Sequence, residues 1–183
     1  MAKTSFFSKR TNWDLDPSAF GLAWNEARTQ KQPLWNLIQS NPMSIGLSYP
    51  QDEIAATLYQ NANVTYSPEP FGALDARKAL LCYGQKRNWL PSITPEQIML
   101  TASTSEAYAH LFRLLANPGD EILIPQPSYP LLDYLGHVCD LNIRYYTLQS
   151  FDEWSIDFRS IEEALSPRTR AIVIVSPNNP TGS

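Results

Sequence analysis

Residues 97–130 read QIMLTASTSEAYAHLFRLLANPGDEILIPQPSYP, and the fold turns on this stretch. Gln97 to Thr101 is a short apolar run between Pro95 and a hydroxyl cluster, which predicts a strand. Ser103, with Glu106 three residues on, is a capping box, so a helix is expected to open there. Ala107, Leu111, Leu114 and Leu115 recur at helical spacing until Asn117-Pro118-Gly119 stops the run. Glu121 to Ile124 is the next apolar run, ending in Pro125 and then Pro127-Ser128-Tyr129-Pro130. Strand, helix and strand in that order predict a βαβ unit.

The first turn of this unit has a chemistry. A helix N-terminus presents free N–H groups and the positive end of the helix dipole, so it attracts anions. Ser103, Thr104 and Ser105 add three hydroxyls at that spot, which suits a phosphate group. A plain capping box flanked by solvated residues accounts for the same pattern. Tyr129 adds to the first reading, because it is expected just past the next strand, on the edge where parallel sheets place ligands. An aromatic face beside a phosphate site suits a planar, phosphorylated ligand.

Outward from this centre the chain alternates between helix and strand patterns. Upstream, Ala19 to Thr29 is a helix candidate within an N-terminal arm, and Leu34 to Ile38 is a short strand candidate before a turn at Ser40-Asn41-Pro42. Gln51 to Asn61 predicts a helix with Asp52 and Glu53 in its first turn. Asn63 to Phe71 reads as extended and proline-interrupted, and carries Tyr66. Ala73 to Lys86 predicts an amphipathic helix with Leu74, Ala76, Ala79, Leu80 and Tyr83 inward. Downstream, Tyr129 to Cys139 predicts a helix with Pro130 in its first turn. Leu141 to Leu148 predicts a strand that sets Ile143 and Tyr145 against Arg144 and Tyr146. Ser150 to Asp157 reads as a loop, and Ser160 with Glu163 as a second capping box opening a helix that ends near Ser166-Pro167. Arg170 to Val175 (RAIVIV) is the continuous apolar run of a strand buried on both faces, and SPNNPTGS follows it.

This alternation predicts an α/β fold, a mostly parallel sheet with helices on both faces. The last strand lacks its return helix, so the expectation is the front part of a larger domain, incomplete at its C-terminal side. The 183 residues are 43% apolar and 17% charged, as in a folded soluble domain. A net charge of −4 without a basic block argues against nucleic acid as a partner. No apolar run reaches the roughly 18 residues that cross a bilayer, and no signal peptide is seen, so the default expectation is cytoplasmic. Cys82 and Cys139 fall in apolar, helix-like stretches and read as buried thiols, while His110 and His137 lack ligand spacing; no metal site is expected. Arg77, Arg113 and Arg144 read as surface charges.

Taken together, TASTSEA (101–107), NPGDEILIPQPSYP (117–130) and RAIVIVSPNNPTG (170–182) resemble the class I and II aminotransferases, pyridoxal-phosphate enzymes of the aspartate aminotransferase fold. The resemblance extends to SNP (40–42) and TYSPEPFGALDARKAL (65–80), so it spans about residues 36–183. It implies that residues 1–48 are an N-terminal arm and small-domain segment, and 49–183 the first part of the large cofactor-binding domain. It implies that Ser103, Thr104 and Ser105 hold the cofactor phosphate, with Ser103 standing where many members have glycine. Tyr129 matches the aromatic residue that stacks on the pyridine ring, and Asn179 the asparagine that hydrogen-bonds its phenolic oxygen. Tyr66 matches a tyrosine that reaches the cofactor phosphate of a neighbouring subunit, which implies a homodimer for the full-length protein. The implied substrates are an amino acid and a 2-oxo acid.

Chemistry with this cofactor needs a lysine that forms a Schiff base with its aldehyde, and an acid beside the pyridinium nitrogen. The resemblance places both downstream of NPTG. The lysines here are Lys3, Lys9, Lys31, Lys78 and Lys86, all upstream of that motif, so no catalytic residue is assigned and the chain as given is expected to be inactive. Four readings stay open: an aminotransferase, a carbon–sulfur lyase on the same scaffold, a fragment that is not a functional unit by itself, or a non-catalytic α/β module that binds a phosphorylated ligand. Against the last, neither G-x-G-x-x-G nor G-K-[ST] occurs.

Overall fold

The computed structural model describes residues 6–35, 41–59 and 66–183. The chain divides into two compact units, one of residues 14–99 and one that joins residues 1–13 to 100–183.

In the first unit, helix α1 (Ala19–Thr29) starts where Ser18 accepts a hydrogen bond from the Gly21 N–H, matching the expected bounds. The strand candidate at Leu34–Ile38 falls largely outside the described residues; Leu34 and Trp35 have no regular structure. Ser40 is also outside them, but the Asn41 side chain caps a 3₁₀ turn at Pro42–Ile45. Helix α2 (Gln51–Leu58) carries Asp52 and Glu53 in its first turn as expected. The rest of that helix candidate and the start of the extended one, residues 60–65, are not described.

Helix α3 (Leu74–Lys86) packs differently from its apolar pattern. Leu80 and Tyr83, expected inward, are half exposed, whereas Arg77 is only 7% exposed. Its guanidinium donates to the carbonyls of Gly72 at 2.9 Å and Pro95 at 2.8 Å, and to the Glu69 carboxylate at 3.4 Å. The physical reason is polar: a five-donor fork satisfies acceptors that an aliphatic side chain would strand. Gly84 is the other buried position, where a Cβ would meet Leu90 at 2.5 Å. Cys82 is exposed, contrary to expectation, and Cys139 is buried. Arg77→Leu is expected to destabilise the protein by about 2 kcal/mol, because it strands these acceptors, and Arg77→Lys to recover only part of the loss. Denaturant unfolding of both variants checks this.

The second unit holds the sheet. Helix α4 (Thr104–Leu115) leads into strand β1 (Glu121–Gln126), helix α5 (Leu131–Val138) and strand β2 (Asn142–Gln149). A two-residue strand β3 (Ser155–Ile156), helix α6 (Phe158–Ala164) and strand β4 (Thr169–Ile172) complete it. Sheet order is β3-β2-β1-β4, with β1 parallel to both β2 and β4 and β3 antiparallel to β2. Ile122 and Ile124 face Phe112, Leu132, Cys139 and Leu141, under α4 and α5. Leu123 faces the other way, onto Tyr146, Leu148 and Ala164 of α6. Helices thus cover both faces, and a parallel strand between two layers carries the unbroken apolar run seen in β1.

Several expectations change here. Gln97 closes a 3₁₀ turn at Pro95–Gln97, and 98–101 has no ladder partner, so the expected first strand is absent among the described residues. Apolar content suggests a strand, but only a hydrogen-bonded neighbour makes one. On α4 the inward residues are Tyr108, Ala109 and Phe112, while Leu111, Leu114 and Leu115 are exposed. On β2, Tyr146 is buried and donates its hydroxyl to the Val173 carbonyl at 2.8 Å, and Tyr145 is half exposed. Strand β4 and the three residues after it bury one face only: Ala171, Val173 and Val175 pack inward, whereas Ile172 and Ile174 are exposed. It lies at the edge of this sheet, which explains the difference from a run buried on both sides. The 150–157 loop contains β3, and α6 is capped by Asp157, whose Oδ1 accepts from the N–H groups of Arg159 and Ser160. Ser160 is used otherwise, donating to the Asp157 carbonyl and accepting from the Thr147 N–H.

The N-terminal segment of this unit packs on α5. Arg10 makes a two-pronged pair with Asp140 at 2.6 and 2.7 Å, and the Trp13 ring meets Tyr134 edge to face at 4.9 Å.

Candidate functional site

The C-terminal ends of β1 and β4 and the N-terminus of α4 meet at a cavity of about 390 Å³ lined by Thr104, Tyr108, Tyr129, Leu132, Val175 and Asn179. Three sequence-predicted residues, Thr104, Tyr129 and Asn179, therefore reach one hollow from three separate segments.

Each is placed for a physical reason. Ser103 has an extended backbone (φ −161°, ψ 165°), and its Oγ accepts from the Glu106 N–H at 3.2 Å, which starts α4. Glu106 reaches back to the Ala102 N–H at 2.6 Å, one residue beyond the usual partner of a capping box. Thr101 donates its hydroxyl to the Ser103 carbonyl at 2.9 Å, which braces the turn further. Thr104 and Ser105 are the first two helical residues, so their N–H groups have no intrahelical acceptor and lie at the positive end of the dipole. Ser103 and Ser105 flank Thr104 on this turn but do not line the cavity.

Tyr129 lies between the end of β1 and the start of α5 and is 42% exposed. Behind this loop Tyr145 donates its hydroxyl to Asp133. Burial, and after it this carboxylate, push the Tyr145 hydroxyl up to about 12. Asn179 is exposed in the SPNNPTGS segment after β4, with its neighbour Asn178 buried. Tyr66 belongs to the other unit and is 91% exposed. Among the described residues no group of three or more His, Cys, Asp or Glu side chains is arranged to hold a metal.

Sequence reading missed Tyr108, Leu132 and Val175, which also line the cavity. Tyr108 was within reach, because a residue four after Thr104 shares its helix face. Val175 required knowing which way the chain runs after β4.

Residues 20–183 match the family described as aminotransferase class I and II. The chain belongs to that family. Its members depend on pyridoxal phosphate. Over 144 residues it is 33% identical to the glutamate-pyruvate aminotransferase AlaA of Escherichia coli (strain K12), covering 78% of this chain and 35% of that one. Over 133 residues it is 34% identical to an S-alkyl-thiohydroximate lyase of Arabidopsis thaliana, covering 73% of this chain and 28% of the relative. A solved Thermus thermophilus aspartate aminotransferase variant superposes with a TM-score of 0.77 at 28% identity, over 98% of this chain and 47% of that one. The chain thus spans about a third of the curated relatives named here and just under half of that structure. The expected family and the α/β fold with its mostly parallel sheet both stand.

Proposed function

We propose that this chain carries the cofactor cradle of a pyridoxal 5′-phosphate enzyme that moves an amino group from an amino acid to a 2-oxo acid. The observation that supports it most is the meeting of Thr104, Tyr129 and Asn179 at one cavity. The donor set fits the group: an anion site at a helix start, an aromatic face and an amide, in a hollow also lined by Leu132 and Val175. When bound, the cofactor supplies an aldehyde for the amino group and a ring that takes up electrons.

In this reading the Thr104 hydroxyl and the first-turn N–H groups of α4 bind the phosphate, with Ser103 and Ser105 adding hydroxyls beside it. The Tyr129 ring covers the pyridine face, and the Asn179 amide donates to the phenolic oxygen. Tyr66 would complete the phosphate site of a second copy, so the full-length protein would be a homodimer. None of the five lysines falls in a context that would hold the aldehyde, so the 183 residues would bind the cofactor without turnover. Since one curated relative is a lyase at comparable identity, elimination on the same scaffold is the second reading. Product analysis of the complete protein with an amino acid and a 2-oxo acid separates the two.

The cofactor reading is tested by titrating the chain with pyridoxal 5′-phosphate, pyridoxal and inorganic phosphate while following protein fluorescence. Pyridoxal phosphate is expected to bind saturably and at least tenfold more tightly than pyridoxal, the difference of about 1.4 kcal/mol being due to the phosphate site. Asn179→Ala is expected to weaken pyridoxal phosphate by about tenfold, the loss of one hydrogen bond to a charged oxygen, and to leave inorganic phosphate unaffected. Equal affinity for pyridoxal and its phosphate would remove the anion site from the reading.

A further inference from the structure

The loops carrying Tyr129 and Asn179 leave neighbouring strands, β1 and β4, and one buried side chain joins them. Asn178 is 5% exposed. Its Nδ2 donates to the Pro127 carbonyl at 3.4 Å and to Thr181 Oγ1 at 2.9 Å. Its backbone closes the turn that follows, with its N–H donating to the Ser183 carbonyl and its carbonyl accepting from the Gly182 N–H, both at 2.7 Å. Its Oδ1 is buried with no hydrogen-bond partner.

The orientation of this amide follows from its partners. A carbonyl only accepts, so the NH₂ end must face Pro127; turned over, two oxygens would meet. The fold thereby leaves a buried acceptor unsatisfied, an arrangement proteins normally avoid. What the amide gains in that orientation is a link across two loops. Pro127 stands two residues before Tyr129, and Asn178 immediately precedes Asn179. Asn178 does not line the cavity, so any effect it has there passes through these neighbours.

We propose that Asn178 is a positioning residue that fixes the spacing between the Tyr129 loop and the Asn179 loop, so that ring and amide face the same cavity. The inference rests on reading that cavity as the pyridoxal phosphate site. It concerns the end of the site that holds the ring; the phosphate end, on α4, is braced separately by Ser103 and Glu106.

Asn178→Leu keeps the side chain's size and removes its donors. In the full 183-residue chain it is expected to lower affinity for pyridoxal 5′-phosphate about tenfold or more, with inorganic phosphate held within about twofold. A general loss of structure would lower both together, and that result, or wild-type affinity for both, would overturn the proposal. Hydrogen exchange of the ligand-free chain reads the same link without any cofactor. Asn178→Leu should speed exchange at Ser128 and Tyr129 as well as at 181–183, and leave the Glu106 and Ala107 amides unchanged. Faster exchange confined to 178–183 would overturn the proposal. Should Asn178→Leu not fold, Thr181→Val removes one anchor and leaves the bond to Pro127. It is expected to loosen 181–183 alone, and equal loosening at Ser128 would show that the link does not run through Pro127. If the wild-type chain binds no pyridoxal phosphate, the cofactor reading fails, and exchange still decides whether Asn178 ties the loops.

Discussion

Exchanging Thr104 for glutamate is expected to weaken binding of pyridoxal 5′-phosphate by roughly a hundredfold, equivalent to about 2.7 kcal/mol. Thr104 is the first residue of α4 and lines the cavity, so a carboxylate there would stand beside the ligand's phosphate. Two like charges about 4 Å apart near a protein surface repel by about 4 kcal/mol, and the open mouth of the site lets solvent screen part of this. The same substitution should not harm folding. Negative charge in the first turn favours a helix, so α4 is expected to hold its thermal stability or gain slightly. The experiment thus separates loss of the anion site from loss of the fold: affinity drops while the melting temperature does not. Thr104→Ser keeps a hydroxyl and is expected to stay within about threefold of wild type. Unchanged affinity in Thr104→Glu would leave Ser103 as a helix cap and nothing more.

What the sequence could disclose, and what it could not, follows from the range of the forces involved. The start of α4 was legible because Ser103 accepts from the Glu106 N–H and the Glu106 carboxylate reaches back to the Ala102 N–H, all within five residues of chain. The core strand was legible because Ile122, Leu123 and Ile124 form a short apolar run between turn signals, but how many faces it buries was not: RAIVIV, expected to be covered on both sides, buries one. Arg77 was misread for the opposite reason. Its acceptors are the carbonyls of Gly72 and Pro95, and no local pattern says that one of them, 18 residues away, comes back to meet it. The 98–101 segment was over-read because its residues favour strand while its partner is not given by composition. Thr104, Tyr129 and Asn179 could be nominated one by one, each at the end of an apolar run or the start of a helix. That they share a cavity depends on β4 lying beside β1, a fact of topology. Asn178 was invisible for the same reason, since its role exists only once the two loops are neighbours.

The same topology makes β1 the element whose loss costs most. Leu123 is fully buried between Tyr146, Leu148 and Ala164, and the ladder to β4 runs through it, its carbonyl accepting from the Val173 N–H at 2.8 Å. Leu123→Ala is expected to destabilise the protein by about 3 kcal/mol, from lost burial plus the cavity left behind. Leu123→Asp should do far more, because the new carboxylate has no cationic partner in that apolar cluster; the expected result is loss of the cooperative unfolding transition. Ile174→Asp is the control. It lies just beyond β4 and is 66% exposed, and a charge there is expected to change stability by less than about 0.5 kcal/mol. Denaturant titrations of the three variants, followed by far-ultraviolet circular dichroism, would show the order directly. A cooperative Leu123→Asp protein as stable as the Ile174→Asp one would mean that β1 is not the two-sided centre of the sheet. The Tyr129 loop would then lose the strand that carries it to the cavity, and the placement of Tyr129 beside Asn179 would have no structural cause.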